Sequence, residues 1–546
     1  MPRVRLPELP NKITLLLLLS VVLRLAFLPF FEGEEGDWTH RTILAYEWLR
    51  HPSLIEGTTP WPILNYLIPA FAIKVSGELF WSVRVTYLLI ALSNIYMLFL
   101  LVRELFDERS AVFAALLLAI NPYHIRCSLN GAMSEPAYVS FVLLALLLAV
   151  RYRETWRVPY LLGAGLAINL ATMFRFDAVL WGVIAGYLLL LAPGRILPEV
   201  TKRSGWSSVI ILGLLCAVYP ILVAVRWQQL YADPLHFFHM AQLNTQQFFE
   251  AGRHPRFSPG LYQTFTVVFW PLSSFLILTP IVAGLAFAGL VYAVVRRKRA
   301  ELSISYALFS VWLMYSAYRH TILAQFRYTL ILQALLSAYF WSGIDLVRRR
   351  IPSVSPRGVY ASCWIVGLAT WIGVVAITLM DAGTITRQFQ QLSPVQSAPY
   401  ASRSALLWIR EHVAPGERVL VTPEVQSAYF SLNARDLISE GRIERLSIYR
   451  PDGILVYTRH EFEEVFRRRV IDSNYVLTQV NALLGLQDGR VKGLLSLPAA
   501  ATEAFEQYNV RFDPTAAFGP LRLYRVTATS CYDAALVSTD CQRMKR

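Results

Sequence analysis

The chain is 546 residues long, 55% hydrophobic and only 16% charged, where a soluble globular protein is about 45–50% apolar and about 25% charged. That composition excludes disorder and a collagen-like repeat, and five cysteines are too few to make a disulfide scaffold of this length. The net charge of +14 would suggest nucleic acid in a soluble basic protein, so the placement of the charges decides between nucleic acid and membrane.

A helix needs about 20 mostly apolar residues to cross a hydrocarbon core of ~30 Å. Eleven segments qualify in chain order: 13–31, 80–102, 111–120 (continuing towards His124), 134–150, 159–174, 178–191, 207–226, 272–295, 303–318, 326–346 and 360–380. The first has the basic start of a signal peptide. No small-x-small cleavage site follows it and Arg24 interrupts it, so it reads as a retained span. With a cytoplasmic N-terminus, every inner loop carries Lys or Arg. Arg3, Arg5 and Lys12 come first, then Arg103 and Arg109, then Arg151, Arg153 and Arg157. Arg195, Lys202 and Arg203 follow, then RRKR at 296–299, and last Arg348, Arg349, Arg350 and Arg357. This is the positive-inside asymmetry, so most of the net charge reports topology and not nucleic acid.

The expected architecture is therefore an α-helical polytopic membrane domain over 1–380, followed by a domain at 381–546. The tail has dispersed charge and short strand-like runs at 418–423, 453–458, 475–480 and 521–526. A helix before the first run carries Ala405, Leu406, Trp408, Ile409 and Val413 on one face. This alternation predicts a small extracytoplasmic α/β domain. Cys531 and Cys541 could pair in an oxidising compartment or stay as thiols. Cys127, Cys216 and Cys363 read as small packed residues.

No Walker A, GxGxxG, HExxH or GxSxG pattern occurs, and no Cys/His group has zinc spacing. The chemistry must come from scattered residues at the outer membrane surface, where polar groups are costly and mark function. The first outer loop, 32–79, opens FEGEEGDWTHR, with Glu34, Glu35, Asp37, His40 and Arg41. It holds two amphipathic stretches, roughly 38–50 and 62–75, suited to the interface. Glu135 follows in NPYHIRCSLNGAMSEP, then Arg175 and Asp177 in FRFD. His254 lies in the loop 227–260, and Arg327 and Tyr328 in QFRY. Carboxylates suit proton abstraction or a divalent cation. Arginines suit a phosphate, whose oxygens match the guanidinium fork.

These ordered pieces resemble the GT-C fold glycosyltransferases, in the branch of the protein O-mannosyltransferases and the lipid A aminoarabinose transferase. The pieces are the acidic first loop, TPWPILNYLIPAFAIKVSG, AINPYHIRCSLNGAMSEPAYVSFVLLAL, ATMFRFDAVLW and QFRYTLILQALLSA. The resemblance implies a polyprenyl-phosphate-sugar donor and a lipid, glycan or protein acceptor at the extracytoplasmic face of the cell membrane. It also implies a first-loop carboxylate, Asp37, as general base. Glu-Glu-Gly-Asp-Trp departs from the family pattern, so Glu34, Glu35 and Asp37 all stay open for that role. Asp37 also reads as a helix N-cap, and Glu135 as an anion at a helix N-terminus. Arg175 and Arg327 are candidates for the donor phosphate, or for lipid-headgroup contacts. Glu135 could touch acceptor or metal. His254 is a sugar contact, a ligand or a solvated loop residue. Arg24 is expected to pair with a carboxylate near the site. A glycan ligase or polymerase, a lipid-linked substrate flippase and a membrane-anchored binding protein are the alternatives. No repeat of the kind transporters show relates the two halves.

Overall fold

The computed structural model describes residues 11–27, 41–42, 44–46, 48–49, 52, 61–77, 81–190, 199–236, 238–239, 242–243, 259–296, 301–319, 321–322, 326–350, 398–422, 425, 430, 433–446, 459–479, 504–507, 510–518 and 521–528. They fall into two compact units, one of helices up to residue 350 and one of mixed strands and helices from residue 398.

The first unit contains α1 (Asn11–Phe27), α2 (Leu64–Ser76), α3 (Trp81–Leu105), α4 (Glu108–Ala119), α5 (Pro122–Leu129), α6 (Ser134–Thr155) and α7 (Val158–Thr172). It continues with α8 (Val179–Leu190), α9 (Glu199–Tyr231), α10 (Pro259–Ile277), α11 (Pro280–Val295), α12 (Glu301–Tyr318), α13 (Leu330–Ser337) and α14 (Phe340–Arg350). Short 3-10 turns sit at Phe176–Ala178 and Phe326–Thr329. Among the described residues, Trp81–Leu105, Ser134–Thr155 and Trp206–Tyr231 are long and apolar enough to cross a membrane. Counting each bent helix pair as one span gives up to six. The expected segments at 159–174 and 178–191 are shorter apolar helices, and 360–380 lies outside the described residues. Of the two expected amphipathic stretches, the second is α2, and helical geometry recurs at 41–42, 44–46 and 48–49.

Three expected spans are broken. The chain at 111–124 bends by 57° between α4 and α5. Asn121, before Pro122, sits at ψ 121°, because a proline ring disfavours helical geometry in the residue ahead of it. The expected span 272–295 is two helices that meet at Thr279–Pro280, with Thr279 at φ 76°. The third break, 43°, falls between α13 and α14 where no proline stands. There the packing is close. A Cβ on Gly343 would lie 1.9 Å from the Leu285 carbonyl oxygen, and one on Gly289 would lie 2.2 Å from that of Tyr339. Only glycine lets α11 and α14 approach so nearly.

Large apolar side chains such as Leu15, Val183, Leu214 and Val311 are exposed, as lipid contact requires. Ion pairs gather where α1, α4 and α12 begin and α3 and α6 end. Lys12 meets Glu108 at 2.7 Å, Arg151 meets Glu104 at 2.8 Å, and Arg153 meets Glu301 at 3.0 Å. Inside the bundle, Asn169 on α7 donates to the Leu215 carbonyl and accepts from the Tyr219 N–H at 3.1 Å. Its amide replaces one turn of the α9 backbone ladder just ahead of Pro220. Arg24 departs from expectation. It is fully buried, and its partners are not carboxylates: Ser20, Ser128 Oγ (3.0 Å), His124 Nδ1 (2.6 Å) and the Ala119 carbonyl (3.2 Å).

The second unit holds α15 (Ala398–His412), β1 (Val419–Val421), α16 (Arg435–Ser439), β2 (Ile443–Arg445), α17 (Arg459–Ile471), β3 (Tyr475–Gln479), β4 (Phe505–Gln507), β5 (Val510–Phe518) and β6 (Leu521–Ala528). The sheet order is β2-β1-β3-β6-β5-β4. β2, β1 and β3 run parallel, as helical crossovers allow, and the rest pair antiparallel. Ala405, Leu406 and Ile409 of α15, with Val413 just after it, bury against one face of the sheet, and Phe466 and Val470 of α17 share a cluster with Leu420 and Val476. Three expected strand runs coincide with β1, β3 and β6; the run at 453–458 lies outside the described residues. β5 was not expected, since Pro514 interrupts its pattern, and the register shifts between Pro514 and Ala516.

Candidate active site

Glu135 lies in the first turn of α6 and its side chain is 2% exposed. The turn before it uses Gly131 at φ 71° and Ala132 at φ 25°. Arg41 holds this turn, donating to the Ala132 carbonyl at 2.9 Å, and its guanidinium lies 5.5 Å from the Trp61 ring centroid. An anion is favoured at this helix end. Yet neither carboxylate oxygen has a hydrogen-bond partner among the described residues. Two guanidiniums face it instead: Arg175 Nη1 at 3.7 Å and Arg327 Nε at 3.5 Å.

Arg175 sits between α7 and the Phe176–Ala178 turn. The proline-rich stretch secures its carrier. Leu64 N donates to the Met173 carbonyl at 3.0 Å, and Asn65 Nδ2 donates to the Phe174 carbonyl at 2.9 Å. Asp177 grips the guanidinium through Nε (3.1 Å) and Nη2 (2.8 Å). That leaves Nη1 turned towards Glu135. The guanidinium also lies 4.2 Å from the Tyr328 ring centroid and 5.4 Å from that of Tyr138. Burial works against its charge, but Asp177, then Tyr328 and Glu135, outweigh burial and raise its pKa above the ordinary arginine value.

Arg327 and Tyr328 stand on the Phe326–Thr329 turn. Arg327 lies 5.2 Å from the Tyr328 ring centroid. Glu135, Tyr138, Arg175, Asp177, Arg327 and Tyr328 line one cleft, closed on its apolar side by Val139, Phe309, Leu330 and Ile331. Two guanidinium edges thus turn to one point in this cleft, at the Glu135 carboxylate, and such edges suit the oxygens of a phosphate.

Five sequence candidates meet here: Glu135, Arg175, Asp177, Arg327 and Tyr328. Arg41 braces the backbone leading to Glu135. Glu34, Glu35, Asp37, His40 and His254 lie outside the described residues, as do Cys363, Cys531 and Cys541; Cys127 and Cys216 are buried free thiols. Sequence reasoning missed Tyr138, whose hydroxyl accepts from Trp181 Nε1 at 2.7 Å. Its spacing of three from Glu135 on one helix face was the available signal. Among the described residues, no three carboxylate, histidine or cysteine groups converge to hold a metal ion.

Residues 58–223 match the family model of the dolichyl-phosphate-mannose-protein mannosyltransferases. No curated protein matches in sequence. The oligosaccharyltransferase of Archaeoglobus fulgidus, solved with zinc and sulfate, superposes with a TM-score of 0.53 at 16% identity, covering 86% of this chain and 68% of that one. The same enzyme with an inhibitory peptide and a dolichol-phosphate gives 0.49 at 14% identity over 86% and 69%. ArnT of Cupriavidus metallidurans, bound to undecaprenyl phosphate, gives 0.38 at 12% identity over 97% and 99%. By the family match over 58–223 and by its fold, this chain is similar to the GT-C fold glycosyltransferases, the resemblance its motifs carry.

Proposed function

We propose that the chain is a membrane glycosyltransferase that moves one sugar from a polyprenyl-phosphate donor to a hydroxyl acceptor at the extracytoplasmic face. The observation that carries this reading is the pair of guanidiniums. Arg175 and Arg327 come from distant parts of the chain and face one buried point, beside Tyr138 and Tyr328. In the reaction a base takes the acceptor proton, the acceptor oxygen bonds to the anomeric carbon, and the bond from that carbon to the phosphate oxygen breaks. The electron pair leaves with the phosphate. A phosphodiester donor carries one negative charge, and the departing phosphate gains a second. The arginines therefore bind the leaving group more strongly as the bond breaks, which is how binding becomes catalysis.

Asp37 is the proposed base, supported by its position in the acidic first loop. Asp177 fixes the orientation of Arg175. Glu135 opposes the added phosphate charge, which favours release of the spent lipid. The charge pattern of the loops supports a cell-membrane location with a cytoplasmic N-terminus and an extracytoplasmic C-terminal domain. Protein, lipid or glycan acceptors all fit the proposed chemistry. Incubating membranes with a labelled polyprenyl-phosphate sugar tests the activity. Arg175→Ala and Arg327→Ala should each weaken donor binding by about tenfold or more, the loss of one charge-assisted hydrogen bond. Asp37→Asn should abolish transfer while sparing donor binding. Equal transfer by Asp37→Asn and the native chain would remove Asp37 as base.

A further inference from the structure

We propose that Asn121 is a positioning residue for Arg327, acting through a relay of two hydrogen bonds. This rests on the reading that Arg327 holds the donor phosphate. Asn121 Nδ2 donates to Gln333 Oε1, and Gln333 Nε2 donates to Thr329 Oγ1 at 2.6 Å. Thr329 is the last residue of the turn that carries Arg327 and Tyr328. All three side chains are buried: Asn121 is 2% exposed, Gln333 1% and Thr329 0%.

The other end of the relay belongs to Glu135. Asn121 Oδ1 caps α5 by accepting from the His124 N–H at 3.0 Å. α5 runs straight into the Gly131–Ala132 turn and then into Glu135. Arg24 pins α5 from its far side through Ser128 and His124. One amide therefore joins the segment that presents Glu135 to the segment that presents Arg327, 212 positions apart in the relay's first bond. The cap alone does not explain an asparagine here. Ser or Asp caps a helix as well, since only an oxygen is needed. The Nδ2 donor is additional, and a buried amide hydrogen left unpaired would cost about 1–3 kcal/mol. The relay uses it. A 3-10 turn of four residues has little hold of its own, so the anchor at Thr329 fixes where Arg327 points.

The test uses the purified full chain in detergent, with undecaprenyl phosphate as probe and undecaprenol, which lacks the phosphate, as control. Asn121→Ser keeps the cap but cannot reach Gln333. Thr329→Val keeps the shape but removes the acceptor. Each should weaken undecaprenyl phosphate binding about tenfold, leave undecaprenol binding within twofold, and leave the thermal midpoint within a few degrees. The double variant should be no weaker than about tenfold, because both changes cut one relay. Asn121→Asp should bind within about threefold of the native chain. There the Gln333 amide turns over, donates to the new carboxylate and accepts from the Thr329 hydroxyl. Unchanged phosphate binding in Asn121→Ser and Thr329→Val would overturn the proposal. So would effects that multiply to about a hundredfold in the double variant, or Asn121→Asp behaving like Asn121→Ser. Arg327→Ala separates the two levels. If it weakens phosphate binding and the relay variants do not, only the relay fails. If it too has no effect, the phosphate reading itself fails.

Discussion

Arg175→Lys keeps the charge and changes only its geometry, so it probes how the site works. The guanidinium uses two edges at once. Nε and Nη2 hold Asp177 at 3.1 and 2.8 Å, and Nη1 faces the cleft. An ammonium has a single nitrogen. If it binds Asp177 it withdraws from the cleft. If it faces the cleft it leaves Asp177, with a side chain only 15% exposed, without its partner. Either choice forfeits about one charge-assisted hydrogen bond, ~1.5–3 kcal/mol. The flat contact with Tyr328 at 4.2 Å is weakened too, and such cation–π contacts are worth about 0.5–2 kcal/mol. The combined loss is at least ~2 kcal/mol, or about 30-fold in affinity for a polyprenyl phosphate. The assay is titration of the purified chain with undecaprenyl phosphate, alongside a thermal unfolding scan that checks the fold. Affinity within about threefold of the native chain, in a folded protein, would refute the assignment of Arg175 to the phosphate.

Gly343→Ala should lower the thermal midpoint by several degrees, since a Cβ 1.9 Å from the Leu285 oxygen forces α11 and α14 apart, an overpacking cost of ~1–3 kcal/mol or more. Gly284→Ala on α11 meets nothing within 4 Å and should leave the midpoint unchanged or slightly higher. Arg153→Ala should destabilise the bundle by ~3 kcal/mol or more, because it strips Glu301 of its partner where the two side chains are 7% and 15% exposed. Lys12→Ala, at a pair 66% and 49% exposed, should stay within ~1 kcal/mol; equal losses in the two variants would contradict the burial argument. In the second unit, Leu420→Ala should cost ~2–5 kcal/mol, since Leu420 is fully buried with Phe466 and Val476. Limited proteolysis of the full chain should then cut the C-terminal unit faster, and an unchanged cleavage rate would count against that core.

The charged half of the site was legible because charge is costly beside a membrane. Glu135, Arg175, Asp177 and Arg327 stood out against apolar runs, and each reaches the same cleft. Asp177 needed the structure to show what it does. FRFD places it two residues from Arg175, but only the two-bond grip identifies it as the group that orients the guanidinium. The neutral parts were not legible. Asn121 looks like any helix cap, and Gln333 looks like a lone polar residue in an apolar helix. Their meaning lies in one hydrogen bond between distant segments, which no local pattern encodes. The breaks divide in the same way. Pro122 and Pro280 announce theirs, because proline restricts its predecessor. Beside the break ahead of Phe340, the close approach of α11 and α14 rests on glycines of two different helices, and packing at a distance leaves no periodic trace. Arg24 shows how this misleads. A buried arginine in an apolar run suggested a carboxylate partner, yet serines, a histidine and the last carbonyl of α4 pair with its Nε, Nη1 and Nη2 instead. A helix break exposes carbonyls, and a guanidinium can satisfy them as well as a carboxylate could satisfy it. The same bend that frees the Ala119 carbonyl for Arg24 also sets Asn121 facing Gln333, so the break in the third expected span is part of the site's construction.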